Sequence, residues 1–185
     1  RRFFFLFILI LIVGGFLFRQ YINTEKGRYN FDKKKLQIPV LGMLFRKVAI
    51  ARFSRTFSTL VKSGVDILNA LEIVGKTSGN KVIEEATYKC RQAIKEGETI
   101  AKPLFNSGVF PPMVCRMISI GEKTGQLENM LTKIADFYEE QVDTAVAGLV
   151  SLIEPIVITF LGIVVGGIVI SLFLPIFKIT ELVGR

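Results

Sequence analysis

Two uncharged apolar blocks, one near each end of the chain, constrain its fold more than any other feature. The stronger runs from Pro155 to Phe177, 23 residues without a formal charge, and closes at Lys178. The other, Phe3 to Phe18, is sixteen uncharged and almost wholly apolar residues between Arg1-Arg2 and Arg19. As a helix it spans about 24 Å, a little less than a hydrocarbon core of about 30 Å, and snorkelling arginines at both ends cover the difference. A signal peptide competes for this block, but no small-x-small cleavage site follows and the next residues are bulky and charged. Both blocks therefore read as membrane spans, and the arginine at position 1 marks the chain as part of a longer one.

Removing the blocks leaves Arg19 to Asp143, 125 residues, enough for one compact domain and too few for two of ordinary size. Charge sets its side of the membrane. Arg19 to Lys62 carries 11 Lys or Arg against Glu25 and Asp32, whereas Ser63 to Asp143 carries 9 basic and 12 acidic residues. Arginine and lysine collect on the cytoplasmic side of a span, so the middle domain is expected in the cytoplasm, with the tail 178–185 on the other side. The expected organisation is a span at 3–18 and a cytoplasmic domain at 19–143 whose basic juxtamembrane segment is 19–46. A long helix at 146–177 follows, with its membrane core at about 155–177.

Apolar periodicity in the middle is helical throughout. Ile50, Phe53, Phe57, Leu60 and Val61 form one stripe. Ile67, Leu68, Leu71 and Val74 form a second, stopped by Gly75. Asn80 caps a third helix with Ile83, Ala86, Cys90, Ala93 and Ile94 on its apolar face. Thr99 caps a short fourth through Leu104 and Phe105, and Pro111-Pro112 opens a fifth with Val114, Met117 and Ile118 inward. The sixth carries Leu127, Met130, Leu131, Ile134, Phe137 and Tyr138, with Glu128, Lys133, Asp136, Glu139, Glu140 and Asp143 opposite. It meets no breaker before Pro155. Residues 20–42 are the least patterned. The fold class is all-α: a six-helix antiparallel cytoplasmic bundle flanked by two transmembrane helices.

Composition removes several functions. Histidine is absent, so no imidazole base and no Ser-His or Cys-His pair can form, and neither a metal nor an organic cofactor is expected. Cys90 and Cys115 form no C-x-x-C pair and read as reduced core residues. Gly75-Lys76-Thr77 imitates the end of a phosphate-binding loop. That loop needs a glycine five residues earlier, where Ala70 stands, and a preceding strand, where the spacing is helical. Tryptophan is absent and 9 of the 16 phenylalanines lie in the apolar blocks, which leaves little aromatic surface for stacking on nucleic acid. The chain is expected not to be an enzyme.

The candidate functional residues are few. Arg52, Arg55 and Lys62 share a helix face, preceded by Arg46 and Lys47, and this face suits anionic lipid or an acidic partner protein. Glu122 lies in Gly121-Glu122-Lys123-Thr124-Gly125. It is either a solvated turn residue or a carboxylate held at an interhelical corner, bonding the amides of the next helix or a partner's cation. Glu154 before Pro155 is a carboxylate at the membrane boundary, expected to face protein or headgroups. Gly162 and Gly166 form a G-x-x-x-G that admits a second helix closely.

Several stretches together carry a resemblance. Ile38-Pro39-Val40-Leu41-Gly42, then Ala51-Arg52-Phe53 with Thr56, Leu60 and Ser63-Gly64-Val65, lead the series. Ile94-Lys95-Glu96-Gly97-Glu98, Phe110-Pro111-Pro112-Met113, Gly121 to Leu127, Glu154-Pro155 and Leu174-Pro175-Ile176-Phe177 follow in order. In order and spacing the chain resembles the C-terminal half of the secretion F-protein family, the inner-membrane platform proteins of type II secretion systems and type IV pili. The resemblance implies a six-helix cytoplasmic bundle that occurs twice in full-length members, only the second copy being present here. It also implies a non-enzymatic, oligomeric scaffold in the bacterial inner membrane. Such a scaffold contacts a hexameric cytoplasmic assembly ATPase and couples its motion to extraction and polymerisation of pilin-like subunits, among bitopic inner-membrane assembly proteins. A membrane-anchored helical signalling or sensor module is the rival, and requires a polar pocket that the stripes do not offer. An intramembrane hydrolase would need paired catalytic groups, and the spans hold only Thr159, Ser171 and boundary Glu154.

Overall fold

A computed structural model describes residues 19–20, 24–39 and 41–183, so the apolar block at 3–18 lies outside the described residues. The chain divides into two compact units, one ending at Val142 and the other beginning at Asp143.

The first unit is helical. Helix α1 (Glu25–Lys35) begins where Thr24 Oγ1 accepts from the Gly27 N–H, and its end charges, Glu25 first and Lys33, Lys34 and Lys35 last, complement the helix dipole. Helix α2 (Leu41–Lys62) places Ile50, Phe53 and Phe57 in the core. Asp66 caps α3 (Ile67–Thr77) and Asn80 caps α4 (Lys81–Lys95), each accepting from two backbone amides. The short α5 (Ala101–Asn106) and α6 (Pro112–Thr124), with proline in its first turn, lead to α7 (Leu127–Ser151). The six helices expected from periodicity are α2 to α7. Helix α1 is additional and occupies the segment whose sequence shows the weakest pattern.

One apolar core joins α2 to α7. Phe53 meets the Phe57 ring edge-on at 5.7 Å and lies 4.8 Å from the Phe110 ring, while Leu71, Ile83, Leu104, Ile118, Leu131 and Ile134 are completely enclosed. Each such side chain contributes about 1.5–3 kcal/mol by leaving water. Three expectations shift. Gly75 does not stop its helix: α3 continues to Thr77, and Gly75 is buried where Thr87 of α4 packs against it. Ile67 and Phe137 are exposed, because Ala70 on α3 and Ala135 on α7 occupy the inward positions instead. Thr99 is no cap, since Ile100 takes that position and has no side-chain oxygen.

In the second unit α8 (Ile153–Val183) follows α7 after a single turn residue, Leu152. Pro155 has no N–H for the Ser151 carbonyl, which places the interruption at the residues just before it. From Ile153 to Ser171 every side chain is exposed, and the stretch Leu127–Ser171 contains helix long and apolar enough to cross a membrane. A helix that is apolar all round is suited to lipid.

Candidate functional site

The basic face of α2 meets the acidic face of α7. Arg55 sits between two carboxylates: its Nε and Nη2 donate to the Glu139 carboxylate at 2.9 and 2.6 Å, and Nη2 also donates to Asp136 Oδ1 at 2.5 Å. The Glu139 and then the Asp136 hydrogen bonds hold the guanidinium charged even more firmly than usual. Lys62 lies 3.6 Å from Glu128, and Lys47 Nζ donates to Gln141 Oε1 at 2.9 Å. Between them Ser58 Oγ and Thr132 Oγ1 share a 2.6 Å hydrogen bond. The pairing order, 47 with 141, 55 with 136 and 139, 62 with 128, makes α2 and α7 antiparallel. Arg52 has no ion-pair partner among the described residues and is exposed, with its Nη1 close to Gly79. The two arginines thus differ: Arg55 is engaged inside the domain and Arg52 is offered outward.

Glu122 is not in a turn. Helix α6 runs through it to Thr124, and only Gly125, at φ 71°, takes the left-handed conformation that ends the helix. The Glu122 carboxylate accepts from the Ile100 N–H at 2.9 Å, so it caps the preceding helix α5 rather than the one that follows. Gly121 lies where α6 crosses α7: a Cβ there would stand 2.9 Å from Leu127 Cα and 3.0 Å from Met130 Cγ. Cys90 Sγ donates to the Ile100 carbonyl at 3.4 Å, beside the same corner. Burial, with Glu122 and Cys115 nearby, pushes the Cys90 thiol up to about 12, and burial pushes Cys115 up to about 11. Both are free cysteines in the core and act as small apolar residues.

A residue outside the sequence-derived set has a comparable role. Asp32 on α1 is buried and accepts from the Lys81 N–H at 2.8 Å, adding a third cap to the two amides held by Asn80. Between α1, α3 and α4 lies an open cleft of about 710 Å³ with Tyr29 and Tyr88 in its lining. Several of its charges pair across or along its walls: Lys76 and Arg91 with Glu72, and Lys81 with Glu84. Gly75-Lys76-Thr77 is the last turn of α3, which is not the geometry of a phosphate-binding loop.

At the start of α8, Glu154 and Pro155 lie in the first turn, where proline's missing N–H costs no helical bond. Nothing stands within 4 Å of the positions a Cβ would occupy at Gly162 and Gly166. The two glycines leave a gap there into which a neighbouring helix can fit.

The family described as type II secretion system (T2SS), protein F, matches residues 53–175. The type IV pilus assembly protein PilC of Thermus thermophilus is 49% identical over 176 residues, which are 93% of this chain and 43% of that protein. PilC of Myxococcus xanthus is 50% identical over 157 residues, 85% of this chain and 38% of its own length. The type II secretion system protein F of Aeromonas hydrophila is 33% identical over 178 residues, 96% of this chain and 46% of its own. The chain spans less than half the length of these relatives. The family match opens at Phe53, in the centre of the α2 core stripe, and closes at Pro175, well inside the apolar helix. It takes in the second half of α2, α3 to α7 and the lipid-suited segment as far as Pro175, and the chain therefore belongs to the type II secretion system protein F family.

Proposed function

We propose that the protein containing this chain is an integral inner-membrane platform of a type II secretion or type IV pilus machine. In this reading it couples a hexameric cytoplasmic assembly ATPase to extraction and polymerisation of pilin-like subunits, with bitopic assembly proteins around it. The observation that carries the reading is the clamp of Arg55 on Asp136 and Glu139. It fixes α2 to α7, and α7 is the helix whose chain continues toward the apolar α8. A load applied to the bundle then has a covalent and packed route toward the membrane.

Arg52 is the cation left for the ATPase, while Arg55 keeps the face in shape. Gly121, Glu122 and Gly125 shape a second corner for a partner. The Gly162/Gly166 gap serves contact between spans, and with it a homo-oligomer, while Glu154 and Pro155 set the boundary.

The test is co-purification of the full-length protein, in detergent, with the assembly ATPase of the same machine across a salt series. Binding that weakens with salt and with Arg52→Glu supports the reading and places the contact on α2. Binding that ignores both keeps the platform and moves the contact to the Glu122 corner. No binding at any salt refutes the coupling.

A further inference from the structure

The α1–α2 corner exposes apolar side chains that the core does not use. Ile38 is 42% exposed, Leu41 41%, Met43 67% and Phe45 39%. Cations flank them in sequence: Lys33, Lys34, Lys35, Arg46 and Lys47 all lie within residues 33–47, which contain no acid. Lys33, Lys34, Lys35 and Arg46 enter no ion pair with a carboxylate among the described residues. The nearest acid in sequence, Asp32, is buried and occupied by the Lys81 amide. Lys35 Nζ instead lies 4.4 Å from the Phe31 ring centre and 5.9 Å from that of Phe45, so its charge stays at the aromatic edge of the patch.

The corner is built rather than incidental. The Gly42 N–H donates to the Ile38 carbonyl at 2.7 Å, and a Cβ on Gly42 would fall 2.6 Å from the Leu36 carbonyl oxygen. Only glycine lets the first turn of α2 come this close to the end of α1. Side chains on a helix lean toward its N-terminus, so those of Leu41 and Met43, in the first turn of α2, project toward that end.

The antiparallel seam fixes which end of the bundle this is. Lys47, six residues after Leu41, meets Gln141 on α7, and Gln141 is twelve residues before Ile153, where the apolar helix begins. The exposed corner therefore lies at the end of the bundle where the first unit closes, at Val142.

We propose that the α1–α2 corner is a membrane-surface anchor: Ile38, Leu41, Met43 and Phe45 enter the headgroup region of an anionic bilayer while Lys33, Lys34, Lys35 and Arg46 meet its phosphates. Apolar tips flanked by unpaired cations are the complement of such a surface, where neither signal alone holds firmly. This surface is separate from Arg52 and needs no partner protein, so its failure and that of the platform reading are distinguishable.

The chain has no tryptophan, so Met43→Trp introduces a sole indole at an exposed position, and Ile120→Trp does the same near the α6–α7 corner at the other end of the bundle. The full chain is reconstituted into liposomes of phosphatidylglycerol and phosphatidylcholine, or phosphatidylcholine alone, with brominated acyl chains. The expected result is strong quenching of Met43→Trp in the anionic liposomes and none of Ile120→Trp. Combining Met43→Trp with Lys33→Glu, Lys34→Glu and Lys35→Glu lowers that quenching by about fivefold or more, the scale of one cation's attraction to an anionic surface. Open access of aqueous acrylamide to the Met43→Trp indole without lipid quenching overturns the proposal. So does protection from both quenchers, which would assign the corner to a second copy of the chain. Quenching that is equal in both liposomes and indifferent to charge reversal also overturns it.

Discussion

The carboxylate of Glu122 accepts a 2.9 Å hydrogen bond from the backbone N–H of Ile100, tying the last turn of α6 to the start of α5 across 22 residues. Ile100 has no side-chain oxygen to cap α5 and Thr99 does not supply one, so an acceptor from another helix takes the place of a local cap. Glu122→Ala removes it and should cost about 1 kcal/mol, the usual scale of a lost N-cap. Glu122→Gln keeps an acceptor oxygen and should recover most of that loss. Denaturant unfolding of the three proteins in detergent measures this. Assembly measured alongside separates two roles, because a contact that needs the charge fails with Glu122→Gln while stability holds.

Gly121 tests the helix crossing beside it. An alanine Cβ would stand 2.9 Å from Leu127 Cα, which is backbone and cannot rotate aside, and 3.0 Å from Met130 Cγ. Gly121→Ala should therefore destabilise by about 1–3 kcal/mol, as overpacking does, despite alanine's better helix propensity. Gly148→Ala, on the open face of α7 with nothing within 4 Å, should be neutral or slightly stabilising. Equal midpoints for the two variants would refute the close crossing.

These two positions also show what periodicity conveys and what it does not. The stripes of Ile50, Phe53 and Phe57, of Ile83 and Cys90, and of Leu131 and Ile134 placed α2, α4 and α7 and named their buried residues, because apolar spacing encodes a helix face directly. Glycine is ambiguous in the same text. Gly75 and Gly121 look like helix ends, yet both lie inside helices, where a neighbouring helix needs the space. Helix α1 shows no apolar periodicity because one buried carboxylate, Asp32, does for it what an apolar stripe does for the others. Its end charges and the Thr24 cap were the readable signal. The basic face of α2 was legible as charge, but that Asp136 and Glu139 engage Arg55 depends on the antiparallel pairing of α2 with α7, which only the fold supplies.

Arg55 and Glu139 should be coupled. The pair is two-pronged but partly exposed, with side chains 40% and 44% accessible, so solvent and salt screen much of the attraction. A double-mutant cycle of Arg55→Ala and Glu139→Ala should give about 0.5–1 kcal/mol at low salt and markedly less at high salt. Arg55→Lys should lose most of it, since an ammonium cannot reproduce the forked contact through Nε and Nη2. A coupling that does not respond to salt would contradict an electrostatic clamp.

The two buried thiols make stability fall in alkali. In the folded chain burial holds Cys90 up to about 12 and Cys115 up to about 11, against an ordinary thiol value of 9.0. Above pH 9 the unfolded chain therefore binds fewer protons than the native one, and stability falls as pH rises through the folded values. Below pH 9 the contribution is fully present. Unfolding midpoints between pH 8 and 11 should decline more steeply for the parent chain than for Cys90→Ala/Cys115→Ala, whose remaining slope reports lysine and tyrosine. A maleimide at pH 8 should leave the native thiols unmodified and label both on unfolding, since the reactive thiolate is suppressed and each sulfur is enclosed. Rapid labelling of the native chain would show that the core around Cys90 and Ile100 opens, and with it the corner that Glu122 holds.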